Sequence, residues 1–226
     1  MSEEIKVEPT IEKKKIKNNN LYIGADFGTM TLQAARSDSD DIKIMRNVFL
    51  ELKSDEISIS DLSDISYVEN DNNLYIVGED AFRLANIFGK EVSRPMEKGL
   101  ISNKEINAID VLTIMIRDLL GDIKDKDVYV SYSIPAESID EGRSVTYHEK
   151  VFGRILSAFG VNFRPINEAM AIIYSECADE KYSGVALSFG AGMCNCAVGY
   201  KGIETFKFST ARSGDWIDKN VAESLN

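Results

Sequence analysis

Two stretches of the chain, YIGADFGTMTLQ (residues 22–33) and VALSFGAGMCNC (residues 185–196), share one design. Each runs from apolar, strand-like residues into a turn of small residues and back into a strand-like run, the pattern of a hairpin. The first carries an acid at the turn entrance, Asp26, where the second carries Ser188. Two such units predict two related halves. Little chain follows the second unit, so the second half is expected to be truncated.

Between the units, strand patterns alternate with helical ones, which predicts an α/β fold with a mixed sheet flanked by helices. Residues 1–20 are polar and of mixed charge and read as a disordered tail. Residues 21–178 read as a complete first domain with a small inserted subdomain around 45–105, and 179–226 as the start of a second. IKIMRNVFLEL (42–52) reads as strand, and SRPMEKGLI (93–101) as an extended, Pro- and Gly-punctuated segment. Ser102 to Glu105 has capping-box spacing before Ile106, Ile109, Leu112, Met115, Ile116 and Leu119, with Gly121 closing that helix. Ser138 to Glu141 repeats the spacing and predicts the opening of a second helix, with an apolar stripe from Val145 to Phe159. NEAMAIIYSECA (167–178) reads as a helix, and the chain ends in a further helical run.

The charge balance is 37 acids against 26 bases, a formal net charge of −11. That disfavours nucleic acid as a primary partner, because phosphate-backbone binding needs a basic face. With no membrane-spanning apolar run and no signal segment, the expected location is cytoplasmic. Ile5, Val7, Ile11 and Ile16 make too thin an apolar face to predict membrane contact. Cys177, Cys194 and Cys196 are an odd set that argues against a disulfide framework. A zinc site would need further ligands, and the only histidine, His148, lies in an amphipathic helical run that predicts an exposed or half-buried ring. Histidine-based triads are therefore not expected.

The chemistry concentrates in the two turns. ADFGTMT leaves backbone N–H groups unpaired and pointing one way, a nest that takes an anion without a lysine, and Thr29 and Thr31 add hydroxyls. Asp26 is placed to hold Mg²⁺ through its water shell. Taken alone, this turn also reads as a plain hairpin with an Asp-stabilised bend. In the second turn Gly190, Ala191 and Gly192 let the backbone approach a phosphate closely. Two such loops, facing each other, would clamp a polyphosphate. Glu168, in a first helical turn, is by itself explained by the helix dipole.

The order IGADFGTMT, VGEDA, RPMEKGLI, YSIPAES, RPINEAMAIIYS, LSFGAGMC and SGDWID resembles the actin / seventy-kilodalton heat-shock chaperone superfamily of ATPases. The RPM..G.I segment is most similar to MreB-like prokaryotic actins. The resemblance, over Leu21 to the end, implies a ribonuclease H-like actin fold with ATP and Mg²⁺ in a cleft between two halves. It implies that Asp26 sits near the metal and that Gly28, Thr29, Met30 and Thr31 lie on the β-phosphate side. Gly190, Ala191 and Gly192 would lie on the γ-phosphate side, with Glu168 orienting the attacking water. Gly214 and Asp215 match the turn after the second hairpin, where Ser213 replaces a usual glycine. It further implies self-association of the full-length protein into filaments.

The chain departs from that family at Ser188, where an acid is usual, and at Met193, where a threonine is usual. Exchanging a positioned carboxylate for a hydroxyl is expected to reduce hydrolysis by about 10²–10⁴-fold while sparing binding. Phe82 occupies the place of the chaperone branch's lysine, which favours the filament-forming branch. The expectation is an ATP-binding, filament-forming cytoskeletal protein with slow hydrolysis. The alternatives are a non-hydrolysing scaffold or regulatory module and a chaperone-type ATPase domain.

Overall fold

The structure, a computed structural model, describes residues 19–57 and 62–225. The tail expected over residues 1–20 lies outside these except for Asn19 and Asn20, and Asn20 already opens the first strand. In chain order, β1 (Asn20–Phe27), β2 (Thr31–Arg36) and β3 (Ile42–Arg46) run antiparallel, each to the next. β4 (Phe49–Lys53), β5 (Tyr67–Asn70) and β6 (Asn73–Val77) form a separate three-stranded sheet that leads into α1 (Gly78–Phe88). The two-residue strands β7 (Met96–Glu97) and β8 (Leu100–Ile101) make a tight hairpin and precede α2 (Ala108–Leu120).

β9 (Asp127–Ile134), α3 (Val145–Ala158) and β10 (Asn162–Asn167) follow, with β1, β9 and β10 mutually parallel. The main sheet therefore has the order β10-β9-β1-β2-β3, the mixed sheet that the alternation predicts. Next come α4 (Glu168–Glu176) and an antiparallel sheet of β11 (Gly184–Phe189), β12 (Cys194–Tyr200) and β13 (Ile203–Thr210), and then α5 (Gly214–Leu225).

Strand alternation decides which face of the main sheet is covered. In β1, Leu21, Ile23, Ala25 and Phe27 are buried, whereas Tyr22 is exposed and Asp26 half-buried. The buried set meets Val111, Leu112, Met115, Ile116 and Leu119 of α2 and Phe152, Ile155 and Leu156 of α3 in one core. Phe152 is its aromatic centre, stacked on Phe27 at 4.7 Å and tilted against Tyr132 at 6.3 Å. Leu50, Leu52, Leu74, Ile76 and Leu84 form a second core within β4–β6 and α1. A third joins α4 to the β11–β13 sheet through Ala169, Met170, Ile173, Ala186 and Ala197. Among the described residues no helix is long and apolar enough to cross a membrane.

The run 42–52 is strand as expected, divided between two sheets at the fully buried Asn47. Three local expectations fail, each for a tertiary reason. Ser102 caps no helix: its N–H is bonded to the Pro95 carbonyl at 2.9 Å, which ties it to the β7–β8 hairpin. α2 consequently starts at Ala108, leaving Ile106 95% exposed outside the helix and outside the apolar stripe. Ser138 is held extended against the end of β13, with Ile139 N–H donating to the Ser209 carbonyl at 2.9 Å and Ser209 N–H to the Glu137 carbonyl at 3.1 Å. The cap of α3 is instead Ser144, whose hydroxyl accepts the Thr146 N–H at 3.2 Å. Finally, His148 is fully buried, edge-on to Phe152 at 4.7 Å, because the stripe of α3 includes it.

Candidate functional site

Both turns close on themselves in the same way. Gly28 N–H donates to the Thr31 carbonyl, and Gly190 N–H to the Met193 carbonyl, both at 3.0 Å. A Cβ on Gly28 would come within 2.8 Å of the Thr31 oxygen, so this turn requires glycine. At Gly192 a Cβ would lie 2.4 Å from both the Thr29 Oγ1 and the Gly99 nitrogen. The two turns are thus in contact, with the β7–β8 turn wedged beside them. Thr29 is buried there, and its Oγ1 accepts the Gly99 N–H at 3.0 Å. Lys98 and Gly99 both have positive φ, 51° and 72°, which bends that turn sharply enough to reach.

The turns line one cavity of about 300 Å³, which also receives Asp26, Glu168, Ser133, Ser188 and Asn195. Among the described residues no lysine or arginine lines it. No protein group among the described residues takes the backbone N–H of Thr29, Ala191 or Gly192. Such groups suit an anion and are costly to bury unpaired.

Two carboxylates face this space, and burial is the main influence on both. Asp26 accepts a hydrogen bond from the Ser133 hydroxyl at 2.5 Å. Burial nevertheless raises its pKa above the ordinary aspartate value, with the Ser133 bond pulling the other way. Glu168 stands in the first turn of α4, whose N-cap Asn167 accepts the Met170 N–H at 3.1 Å. The Ser188 hydroxyl donates to Glu168 Oε1, and the Asn195 amide donates to Oε2 at 2.8 Å. Burial pushes Glu168 up to about 7, the Ser188 bond opposes it, and the charge of Asp26 adds to it. A carboxyl near neutrality can accept or release a proton at physiological pH.

Of the residues singled out in the sequence, Asp26, Gly28, Thr29, Met30, Thr31, Glu168, Gly190, Ala191 and Gly192 come together around the cavity. Gly214 and Asp215 do not line it. They stand behind the second turn, with their N–H groups donating to the Gly190 and Ala191 carbonyls at 3.1 and 2.8 Å. The Asp215 carboxylate pairs with Arg94 at 3.0 Å. Cys194 and Cys196 are buried free thiols, and burial raises Cys194, which makes it a poorer nucleophile. No cluster of three or more His, Cys, Asp or Glu side chains that could hold a metal ion occurs among the described residues.

Ser133 and Asn195 are the site residues that sequence reasoning missed. Ser133 follows Tyr132, which pairs with Ala25, so it falls beside Asp26 once β1 and β9 are known to run parallel. Asn195 is fully buried between two cysteines, and its Oδ1 accepts the Ala136 N–H at 2.9 Å, which turns its NH₂ toward Glu168. Only its polar character in an otherwise apolar strand could have marked it.

The arrangement has solved counterparts. MamK, determined as a double helical filament, superposes with a TM-score of 0.68 at 17% identity, over 92% of this chain and 59% of MamK. MreB5 of Spiroplasma citri bound to ADP gives 0.64 at 16% identity, over 92% and 57%. The apo ParM of psk41 gives 0.57 at 14% identity, over 92% and 71%. The chain therefore spans less than three-fifths of the length of the first two. These likenesses define the class: an actin-like fold of the MreB type. Within that class the chain belongs to the Volactin family, which it matches over residues 21–226. No curated protein matches it.

Proposed function

We propose that this chain carries the phosphate-binding turns of an actin-like cytoskeletal protein that binds ATP with Mg²⁺, hydrolyses it slowly and, in full length, assembles into filaments. The observation that carries the reading is the pair of facing turns, which offer unpaired N–H groups to one cavity that also holds two half-buried carboxylates. Among the described residues no basic side chain lines the cavity, so a triphosphate there would need N–H groups and a divalent cation to balance its charge. Gly28 to Thr31 and Gly190 to Gly192 would hold the phosphates and Asp26 the ion, which would supply positive charge to offset theirs. MreB5 was solved with ADP and with AMPPNP, and MamK with AMPPNP and as a filament, which supports both parts of the reading.

In this reading Glu168 is the residue that orients water, and Ser188 explains slow turnover. The hydroxyl gives Glu168 a hydrogen bond but cannot add a second negative charge beside it. Titration calorimetry with Mg-ATP, repeated in excess chelator, tests the binding: heat that disappears with the chelator is expected. No heat in either condition sinks the proposal. Ser188→Asp is expected to raise ATP hydrolysis by about 10²-fold, the lower end for one acid–base contribution. Nucleotide-dependent pelleting of the full-length protein tests assembly, and a monomer at every concentration refutes it.

A non-hydrolysing scaffold is the second reading, favoured by the occupancy of both Glu168 oxygens by Ser188 and Asn195. Mg-ATP binding with no phosphate release by the full-length protein would select it.

A further inference from the structure

The N–H groups of a turn face a ligand only if its carbonyls are held the other way. In a planar trans peptide the C=O of one residue and the N–H of the next point in opposite directions, and the described chain has no cis peptide. Fixing the Gly28 carbonyl therefore fixes the Thr29 N–H, and fixing the Gly190 carbonyl fixes the Ala191 N–H. Each of these carbonyls is anchored by one fully buried polar side chain from elsewhere in the fold.

At the first turn the anchor is Asn47. Its Nδ2 donates to the Gly28 carbonyl at 2.8 Å, and its backbone N–H donates to the Met30 carbonyl at 2.8 Å. The Oδ1 of the same amide has no protein partner among the described residues, although it is buried. Such an atom is unfavourable, so the amide is not there to complete its own hydrogen bonding; its useful half is the donor on the turn. At the second turn the anchor is Ser213, whose hydroxyl donates to the Gly190 carbonyl at 2.5 Å. Gly214 N–H bonds the same oxygen, and Asp215 N–H bonds the Ala191 carbonyl, which in turn orients the Gly192 N–H. A Cβ on Gly214 would sit 3.2 Å from the Gly190 oxygen, so the clamp is close-fitting.

We propose that Asn47 and Ser213 are paired positioning residues, one for each phosphate turn. Neither touches the phosphate. Each pulls a turn carbonyl away from the cavity and so aims the following N–H at a bound polyphosphate. The inference rests on the nucleotide reading above and adds which groups make the two nests competent. It also gives Ser213 a role as a hydroxyl anchor.

The test is calorimetry of the 226-residue chain with Mg-ATP, inorganic tripolyphosphate with Mg²⁺, and adenosine. Asn47→Ala and Ser213→Ala are each expected to weaken both polyphosphate ligands about tenfold, the worth of one oriented hydrogen bond. Adenosine binding should not change, and Ser213→Thr, which keeps the hydroxyl, should restore polyphosphate affinity. Urea unfolding of each variant checks that it is folded. If Asn47→Ala does not fold, the Ser213 pair decides alone. Folded variants that bind polyphosphate as the parent chain does overturn the inference and leave the nucleotide reading intact. A parent chain that binds no polyphosphate overturns both.

Discussion

His148 should make the fold measurably acid-sensitive, and its environment gives the size of the effect. The ring is 1% exposed in the stripe of α3, and neither nitrogen has a protein partner among the described residues. Burial, with a smaller contribution from the Arg143 charge, pushes its pKa down to about 3 from an ordinary 6.5. The folded state thus keeps the ring neutral where the unfolded chain protonates it. The group costs nothing above the unfolded value of 6.5, and stability is lost progressively as the pH falls from there toward about 3. One unit below the unfolded value, the loss is RT ln 11, or about 1.4 kcal/mol.

Glu168 works in the opposite sense over part of the same range, so the parent curve alone does not isolate the histidine. The comparison to make is urea unfolding of the parent and His148→Leu at about pH 7.5 and about pH 5.5. The variant should gain about 1.4 kcal/mol on the parent between the two conditions, whatever its baseline. Parallel curves would show that the ring titrates normally, through access to water or a partner, and would refute the reasoning.

Three further outcomes follow from the same contacts. Glu168, raised from 4.5 to about 7, stabilises the fold fully below 4.5 and loses that contribution as the pH rises through 7. Glu168→Gln should remove the loss, making the variant relatively more stable at about pH 8 than at about pH 4 by up to about 3 kcal/mol in paired denaturation curves. Phe152→Ala should cost about 3–5 kcal/mol, read as a fall in urea midpoint at unchanged slope, because the ring is fully buried between Phe27 and His148. Gly192→Ala should cost about 1–3 kcal/mol in the same assay, since its Cβ meets Thr29 and the Gly99 backbone at 2.4 Å; an unchanged midpoint would mean that the turns are not in contact.

What the chain reveals in one dimension follows from which interactions are local. The turns, the alternation of strands with helices and most of the apolar stripe of α2 were legible because hairpin and helix periodicities repeat within a few residues. The capping boxes at Ser102 and Ser138 were misleading for the converse reason. Each serine has the right local spacing, but the backbone there is bonded to the Pro95 carbonyl in one case and held against β13 in the other. His148 is similar: its position in the stripe was readable, but the depth of its burial depends on Phe152 and on the elements packed over α3.

The site divides along the same line. Asp26, Glu168 and the glycines are chemical groups, and their types can be read from letters. The groups that orient them cannot, because each acts across a long separation: Ser133 on Asp26, Asn195 on Glu168, Asn47 on Gly28 and Ser213 on Gly190. All four are uncharged polar residues that burial would penalise without partners, and each donates a hydrogen bond to the site. Ser188, where the family resemblance leads one to expect an acid, belongs to this group as well. In sequence it reads as a lost carboxylate, whereas in the fold its hydroxyl is one of the two donors that hold Glu168. The same exchange that deprives the second turn of a charge thus gives the remaining carboxyl a fixed orientation. If the proposed function holds, mutating Ser188 alone is expected to change turnover while sparing binding.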